Sequence, residues 1–195
     1  MKIYRISENK KTVHEFIPVN NVVQQENYTC GSSCFKSIAE MYGISLTHKQ
    51  SEELCNATKG KGAKPEDIVE AAKTIGLDAV ILQKVSIDIL ISEINKSNPV
   101  ICDIQAWGDK DEYDDKCSRK DGHYVIATGY GDGLILFEDP SVKSGRAVLT
   151  VKDFITRWYD EEWGGKKVER LIIVFTSILP KKPRQNIPKK LVPME

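Results

Sequence analysis

The chain has 195 residues, with 28 Lys or Arg and 28 Asp or Glu, so its formal net charge at pH 7 is zero. Such a balance gives no indication of a nucleic-acid partner or of any other polyanion. The length predicts a single domain, which we place at residues 1–179, and a hydrophobic content of 41% is typical of a globular protein. The apolar runs are short, and none approaches the ~18 residues that a membrane-spanning helix needs.

The N-terminal residues are polar and lack the apolar stretch of a secretory signal. The cysteines are odd in number and irregularly spaced, a pattern that favours a reducing compartment over a disulfide framework. We therefore expect a cytoplasmic protein, with residues 1–22 forming an extended lead-in. The cysteines are Cys30, Cys34, Cys55, Cys102 and Cys117.

Helical periodicity dominates the first half of the chain, where apolar residues recur at three- and four-residue steps. Gly43 is typical of a helix end, Pro65 of a first helical turn and Ser86 of an N-cap. The predicted elements are helices from Cys30 to Gly43, Thr47 to Asn56, Pro65 to Gly76 and from Ser86 to about Ile94, with a short strand from Ala79 to Leu82.

Strand patterns follow from Pro99 onward, and Gly131-Asp132-Gly133 between two apolar runs is a strong hairpin signal. A late helix around Phe154 and Trp158 precedes a last strand. Because helices come first and strands second, the order predicts an α+β fold with a largely antiparallel sheet. The predicted strands are Pro99 to Ala106, His123 to Tyr130, Leu134 to Glu138 and Leu171 to Phe175.

Two polar segments fall outside this pattern. Residues 108–121 carry six acidic and four basic side chains, which is typical of a solvated loop and is also compatible with a mobile lid over a cleft. Residues 180–195 contain four prolines and five Lys or Arg. Such a composition predicts a flexible basic tail.

Cys30 stands where a loop turns into a predicted helix, in the segment Asn27 to Cys34. A thiolate at a helix start faces free backbone N–H groups and the positive end of the helix dipole, and a basic neighbour would lower its pKa further. Gly31 removes a Cβ beside the sulfur and is expected to leave room for a substrate. Cys30 is therefore a candidate nucleophile, with a small core residue as the alternative.

Cys34 is interpreted as a core residue, because it shares the apolar stripe of the helix. Its four-residue distance from Cys30 is neither the spacing of disulfide-exchange motifs nor that of common zinc sites, and no second Cys/His cluster completes four ligands. We therefore expect no metal and no organic cofactor.

His123 is the candidate base among three histidines, since His14 and His48 lie in polar surroundings. It opens an apolar strand, and the predicted hairpin brings the second strand back to Asp139. Antiparallel pairing would place Asp139 near His123, which gives a nucleophile, a base and a residue that orients the base.

An acyl-transfer site also needs a donor for the developing oxyanion. Gln24 and Gln25 precede Cys30 by six and five residues, and a side-chain amide from either could act with the Cys30 N–H.

Together these residues resemble the bacteriocin-processing, double-glycine-leader peptidase family, a group of papain-like cysteine peptidases. The resemblance covers about residues 20–176, and it implies a papain-like fold with Cys30, His123 and Asp139 as the catalytic triad. It also implies that Gln24 supplies the oxyanion donor. The segments that carry it are Gln24 to Gly31, Gly122 to Ile126 and Phe137 to Ser141.

The expected function is cysteine-peptidase hydrolysis of a peptide or protein substrate through a thioester. The alternatives are an amidase, deamidase or transpeptidase with the same triad, and a peptide-binding module without turnover. The best-known members of the family are domains of ABC exporters, so association with an exporter is a further expectation. This chain itself shows neither a membrane span nor a phosphate-binding loop of the P-loop type.

Overall fold

The fold is built on a large, mainly antiparallel sheet. The computed structural model describes residues 4–6, 11–13, 15–106, 122–143, 146–162, 166–177 and 191–194. The large sheet has eight strands, and among its described pairs only one, at an edge, is parallel. Two two-stranded sheets complete the described strands.

The α+β prediction is confirmed, with the helices concentrated in the first half of the chain. The helices are α1 (Cys30–Met41), α2 (His48–Leu54), α3 (Pro65–Thr74), α4 (Ile87–Asn95) and α5 (Val151–Arg157). The strands are β1 (Tyr4–Ile6), β2 (Lys11–Val13), β3 (Glu15–Phe16), β4 (Ala79–Leu82), β5 (Val100–Gln105), β6 (Gly122–Gly131), β7 (Leu134–Glu138), β8 (Arg146–Thr150), β9 (Tyr159–Glu162), β10 (Lys166–Glu169), β11 (Ile172–Phe175) and β12 (Leu191–Pro193). The order in the large sheet is β12-β8-β7-β6-β5-β11-β4, with β3 paired to β6 and with β12 parallel to β8. The two-stranded sheets are β1-β2 and β9-β10.

The helix ends follow from local chemistry. Thr47 and Gln50 form a capping box at the start of α2, and the Ser86 hydroxyl accepts from the Ile89 N–H at the start of α4. Gly43 and Gly76 follow α1 and α3 with φ of +80° and +78°, the left-handed conformation that glycine adopts without strain.

Helix α1 is almost wholly buried and packs against β6 and against α2 and α3. Its apolar residues join the strand residues of β5, β6 and β11 in one continuous core. The start of α1 therefore lies against the start of β6, so that Cys30 and His123 belong to neighbouring elements.

The structure adds strands that the sequence patterns did not reveal. β8 and the β9-β10 hairpin were not predicted, and β11 is a central strand of the sheet rather than the last strand of the chain. Leu191–Pro193 pairs with β8, and Met194 is buried. This apolar end covers an otherwise open sheet edge, which differs from the flexible tail expected for residues 180–195. Residues 107–121 and 178–190, and with them the whole charged loop, lie outside the described residues.

Candidate active site

Cys30 is the first residue of α1 and is buried, with 7% of its surface exposed. The preceding Thr29 makes no side-chain cap; its hydroxyl donates instead to the Glu26 carbonyl at 2.9 Å. The N–H groups of the first turn are therefore not occupied by a cap. The Gly31 N–H hydrogen-bonds to the Cys30 sulfur, which lowers the pKa of the thiol.

His123, the second residue of β6, lies between Cys30 and Asp139. Its Nε2 is 2.8 Å from Asp139 Oδ1, and both side chains are buried. The His123 ring also hydrogen-bonds to the side chain of Cys30. Because Nε2 faces Asp139, Nδ1 is the nitrogen left to face the sulfur. The three residues that the sequence nominated are thus brought together.

A β-bulge at Thr128 places Asp139 on the correct face of the sheet. The β6–β7 register shifts by one residue between Ala127 and Gly129. On the turn side of the bulge, the register would put Asp139 opposite Ile126, on the face away from His123. Beyond the bulge Glu138 is opposite Ile126, so the same register extended by one residue puts Asp139 level with Val125, on the same face as His123. Simple hairpin pairing, as the sequence suggested it, would therefore not have been enough.

Buried polar contacts hold this bulge. The Thr128 carbonyl accepts from the Ile17 N–H at 2.6 Å, and the Thr128 hydroxyl accepts from Arg146 Nη1 at 3.2 Å. Arg146 also forms a buried ion pair with Glu138, the residue before Asp139. One arginine therefore contacts both the bulge and the end of β7.

The Asp139 carboxylate is fixed by its own turn. Its Oδ1 accepts from the Ser141 N–H at 2.8 Å and from the Ser141 hydroxyl at 2.7 Å, in addition to His123. Burial raises the pKa of Asp139, but the hydrogen bond and positive charge of His123 and the Ser141 donors outweigh it. The pKa of Asp139 therefore lies below its ordinary value, and the carboxylate is ionised at neutral pH.

The Cys30–His123 contact favours a thiolate–imidazolium pair. Burial raises the pKa of Cys30, yet the His123 hydrogen bond and charge bring it below its ordinary value. For His123, burial lowers the pKa, whereas Asp139 and Cys30 raise it to about 10. Both shifts therefore favour the charged pair over the neutral one, and the thiolate is the form in which a cysteine is an effective nucleophile.

The other described cysteines lack this activation. Cys34 is buried as predicted, and its sulfur donates to the Tyr124 carbonyl at 3.3 Å. Burial and the neighbouring Cys30 raise the pKa of Cys34 well above its ordinary value. Burial likewise raises the pKa of Cys55 and of Cys102. No disulfide joins these four cysteines.

The expectation for Gly31 is wrong. A Cβ there would lie 3.0 Å from Tyr124 Cδ2, 3.2 Å from Ala63 Cβ and 3.3 Å from Ile68 Cδ1. Neighbouring side chains, not a substrate, therefore occupy the space beside Gly31, and this glycine allows α1 to pack closely against them.

Gln24 lies beside the turn that carries Asp139. Its N–H donates to the Pro140 carbonyl at 2.9 Å, and its side-chain Oε1 is buried without a hydrogen-bond partner in the described residues. Gln25, the other glutamine considered, is exposed. His48 is half-buried at the start of α2, and His14 falls outside the described residues.

A buried acid pair near Cys30 was not predicted. Asp103 on β5 hydrogen-bonds to Asp160 on β9, and Asp160 Oδ1 accepts from Gln105 Nε2 at 2.7 Å. Burial, together with Asp160 and Cys30, raises the pKa of Asp103 well above its ordinary value; burial also raises that of Asp160. Both shifts favour the protonated form of the carboxyls. A lone Asp in each of two distant segments gave no sequence signal for this contact.

The described residues contain no group of His, Cys, Asp and Glu side chains arranged to hold a metal ion. Within the same residues, no helix is long and apolar enough to cross a membrane.

Comparison with known proteins identifies the family of this arrangement. Residues 19–161 match the model of the peptidase C39 family. The solved peptidase domain of Streptococcus ComA, a bifunctional ABC transporter involved in quorum sensing, has a TM-score of 0.58 at 23% identity. That alignment covers 84% of this chain and 98% of the ComA chain.

Two further structures show the same fold. A double-glycine-motif protease from an AMS/PCAT transporter, solved with a leader peptide, has a TM-score of 0.58 at 15% identity, covering 90% of this chain and 98% of its own. The Streptococcus mutans ComA peptidase domain has a TM-score of 0.52 at 18% identity, covering 82% and 99%. No curated protein matches the chain by sequence.

Proposed function

Because the chain belongs to the peptidase C39 family and is a cysteine-type peptidase, we propose that Cys30 is its nucleophile, His123 its base and Asp139 the residue that orients the base. One observation carries this proposal: a hydrogen-bonded series runs from the Cys30 sulfur through His123 to Asp139 at the start of a buried helix. This order of groups is the one that activates a nucleophile for acyl transfer.

In the first step, the Cys30 thiolate attacks the carbonyl carbon of the scissile peptide bond. The His123 imidazolium gives its proton to the amide nitrogen, the C–N bond breaks, and the amine product leaves a thioester on Cys30. In the second step, a water molecule attacks the thioester carbonyl, and His123 takes a proton from this water. The carboxylic acid product leaves, and the thiolate–imidazolium pair is restored.

Two donors would hold the oxyanion in both steps. The Cys30 N–H is the first N–H of α1 and has no partner within the helix. The Gln24 side-chain NH₂ group would supply the second. Loss of one such donor costs about 2.7–4 kcal/mol in comparable sites, mainly in kcat.

The substrate is proposed to be a peptide or protein, acted on in the cytoplasm. Among the similar structures, one contains a leader peptide and two are peptidase domains of a transporter named ComA. These likenesses support a leader peptide as the substrate and an exporter as a partner. A precursor peptide whose leader ends in two glycines is the first substrate to test.

The experiment uses a fluorogenic peptide library that includes the double-glycine sequence, with mass spectrometry of the products. We expect Cys30→Ala to abolish cleavage and His123→Ala to reduce it by about 10²- to 10⁴-fold. Cys34→Ala, a buried cysteine one helical turn away, is the matched control and should keep its activity. Cleavage by Cys30→Ala at the wild-type rate would refute the proposal.

Product analysis separates hydrolysis from the alternatives that share the triad. A peptidase releases a new carboxylate and a new amine, a deamidase releases ammonia, and a transpeptidase joins the acyl group to an added amine. A binding module would give no turnover and no acyl-enzyme in the intact mass spectrum.

A further inference from the structure

The segment that carries Gln24 is tied to the turn that carries Asp139 by a single side chain. Asn21 Nδ2 donates to the Asp139 carbonyl at 2.9 Å and to the Val142 carbonyl at 2.8 Å. Both partners are backbone carbonyls, and the two hydrogens of the Asn21 NH₂ group serve one carbonyl each. An aspartate at this position would place a carboxylate against two carbonyl oxygens.

The turn itself does not depend on Asn21 for its shape. The Val142 N–H donates to the Asp139 carbonyl at 3.0 Å, which closes a β-turn with Pro140 at its second position. Ser141 and His123 hold the Asp139 carboxylate independently of Asn21. The turn is therefore a fixed point against which another segment can be positioned.

Gln24 has far fewer contacts of its own. Its backbone N–H bond to Pro140 is the one hydrogen bond that Gln24 makes within the described part of the chain. The preceding residues also hold this segment: the Asn21 side chain bonds to the turn, and the Val22 N–H donates to the Ser37 hydroxyl of α1 at 3.0 Å. Asn21 is thus the side-chain link between Gln24 and the Asp139 turn.

We propose that Asn21 is a positioning residue for the oxyanion donor: it holds the Gln24 segment in place against the Asp139 turn. This inference rests on the proposed function, in which Gln24 donates to the oxyanion. We expect Asn21 to affect transition-state stabilisation but not the charge state of Cys30 and His123, because the hydrogen bonds that hold the Asp139 carboxylate do not involve Asn21. A misplacement of about 1 Å in such a donor costs about 10²-fold in rate.

The variants Asn21→Ala and Asn21→Asp test the inference, the second with nearly the same volume but without the donor. We expect kcat to fall by about 10- to 100-fold, with KM and the pH profile of Cys30 alkylation unchanged. Asn20→Ala is the matched control, since Asn20 is equally half-buried but bonds to Glu40 Oε2, at 3.5 Å, and not to the turn. The control should keep wild-type kcat.

A double-mutant cycle between Asn21 and Gln24 tests whether the effect of Asn21 on kcat depends on Gln24. If Asn21 acts through Gln24, Asn21→Ala should cost little in kcat once Gln24 is Ala, so the two losses will not add. Additive losses, an altered alkylation profile, or full activity of both Asn21 variants would overturn the inference. It would also be overturned if both variants unfolded, since Asn21 would then be needed for folding itself.

Failure of the proposed function would look different. In that case Gln24→Ala or Cys30→Ala would keep full activity, whatever Asn21 does. If Gln24→Ala is impaired and Asn21→Ala is not, only the role of Asn21 fails.

Discussion

Asp139 and Asp103 are two buried carboxyls near the same histidine, and the pKa values of the two shift in opposite directions. Asp139 is 2% exposed and Asp103 is 4% exposed, so burial alone does not separate them. Asp139 accepts from His123 and twice from Ser141, and its pKa is lowered. Asp103 faces a second carboxyl, and its pKa is raised well above its ordinary value.

The difference shows that the available donors decide the charge of a buried acid. Among the described residues, no Lys or Arg pairs with Asp103 or Asp160, and Asp103 Oδ1 has no hydrogen-bond partner. Such surroundings favour the protonated form of a carboxyl. Those of Asp139, in contrast, favour the anion, which can stabilise a charged His123. The two buried acids near His123 are therefore biased toward opposite charge states.

The largest expected effect is on activity. Asp139→Asn removes the anion that holds the His123 imidazolium, and we expect kcat/KM to fall by about 10²-fold or more. Asp103→Asn replaces one neutral side chain by another and should stay within about threefold of wild type. Steady-state kinetics on the same peptide checks both. A loss in Asp103→Asn as large as that in Asp139→Asn would break the comparison.

The next effect is on the pH dependence of stability. As the pH rises, the change in Tm relative to wild type should have opposite signs in Asp103→Asn and Asp139→Asn. Because the pKa of Asp103 is higher in the folded than in the unfolded protein, its protonated form contributes to stability. This contribution is complete below the unfolded-state pKa of about 3.9 and is lost as the pH rises. Asp103→Asn should therefore gain in Tm over wild type as the pH rises from about 4.5 to 8. The gain should be about 2–4 °C for each kcal/mol regained.

For Asp139 the sign is reversed. Because the pKa of Asp139 is lower in the folded protein, its ionised form contributes to stability above the unfolded-state pKa of about 3.9, and this contribution is lost as the pH falls. Asp139→Asn should therefore show its largest Tm deficit near neutral pH, and the deficit should shrink toward acid. Thermal melts of both variants across this range decide the matter. Parallel curves for the two variants would contradict the opposite pKa shifts.

The smallest expected effect concerns Ser141. Ser141→Ala removes the hydroxyl donor to Asp139 but keeps the backbone N–H donor, so kcat should fall only about two- to tenfold, as for a hydrogen bond of about 0.5–1.5 kcal/mol. Ser86→Ala, at the N-cap of α4, is the control: it should lower the free energy of unfolding by about 1 kcal/mol without changing kcat. An unchanged kcat in Ser141→Ala would show that the backbone donor alone fixes Asp139.

The site residues that could be predicted from the sequence are those marked by local signals. Cys30 at a helix start, His123 at a strand start and the Asp132-Gly133 turn are all encoded within a few neighbouring residues. The turn has φ of +49° and +76° at its two central positions, which Asp and Gly tolerate. These local signals were sufficient to nominate Cys30, His123 and Asp139.

What the sequence did not reveal depends on contacts between distant segments. The bulge at Thr128 rests on Arg146 and Ile17, and the acid pair joins Asp103 to Asp160. Neither has a periodicity or a motif that a pattern could detect. Likewise, Leu191–Pro193 appears as a strand only because β8 has an open edge for it.

The pH dependence of Cys30 alkylation tests the central claim most directly, because the thiolate is the reacting form. Iodoacetamide labelling with peptide mapping should show Cys30 modified at about pH 6–7, ahead of Cys34, Cys55 and Cys102. In His123→Ala the midpoint should move upward, because the hydrogen bond and charge that lower the pKa of Cys30 are lost. If Cys117 reacts first while Cys30 stays unmodified, or if His123→Ala leaves the midpoint unchanged, Cys30 is not the activated nucleophile.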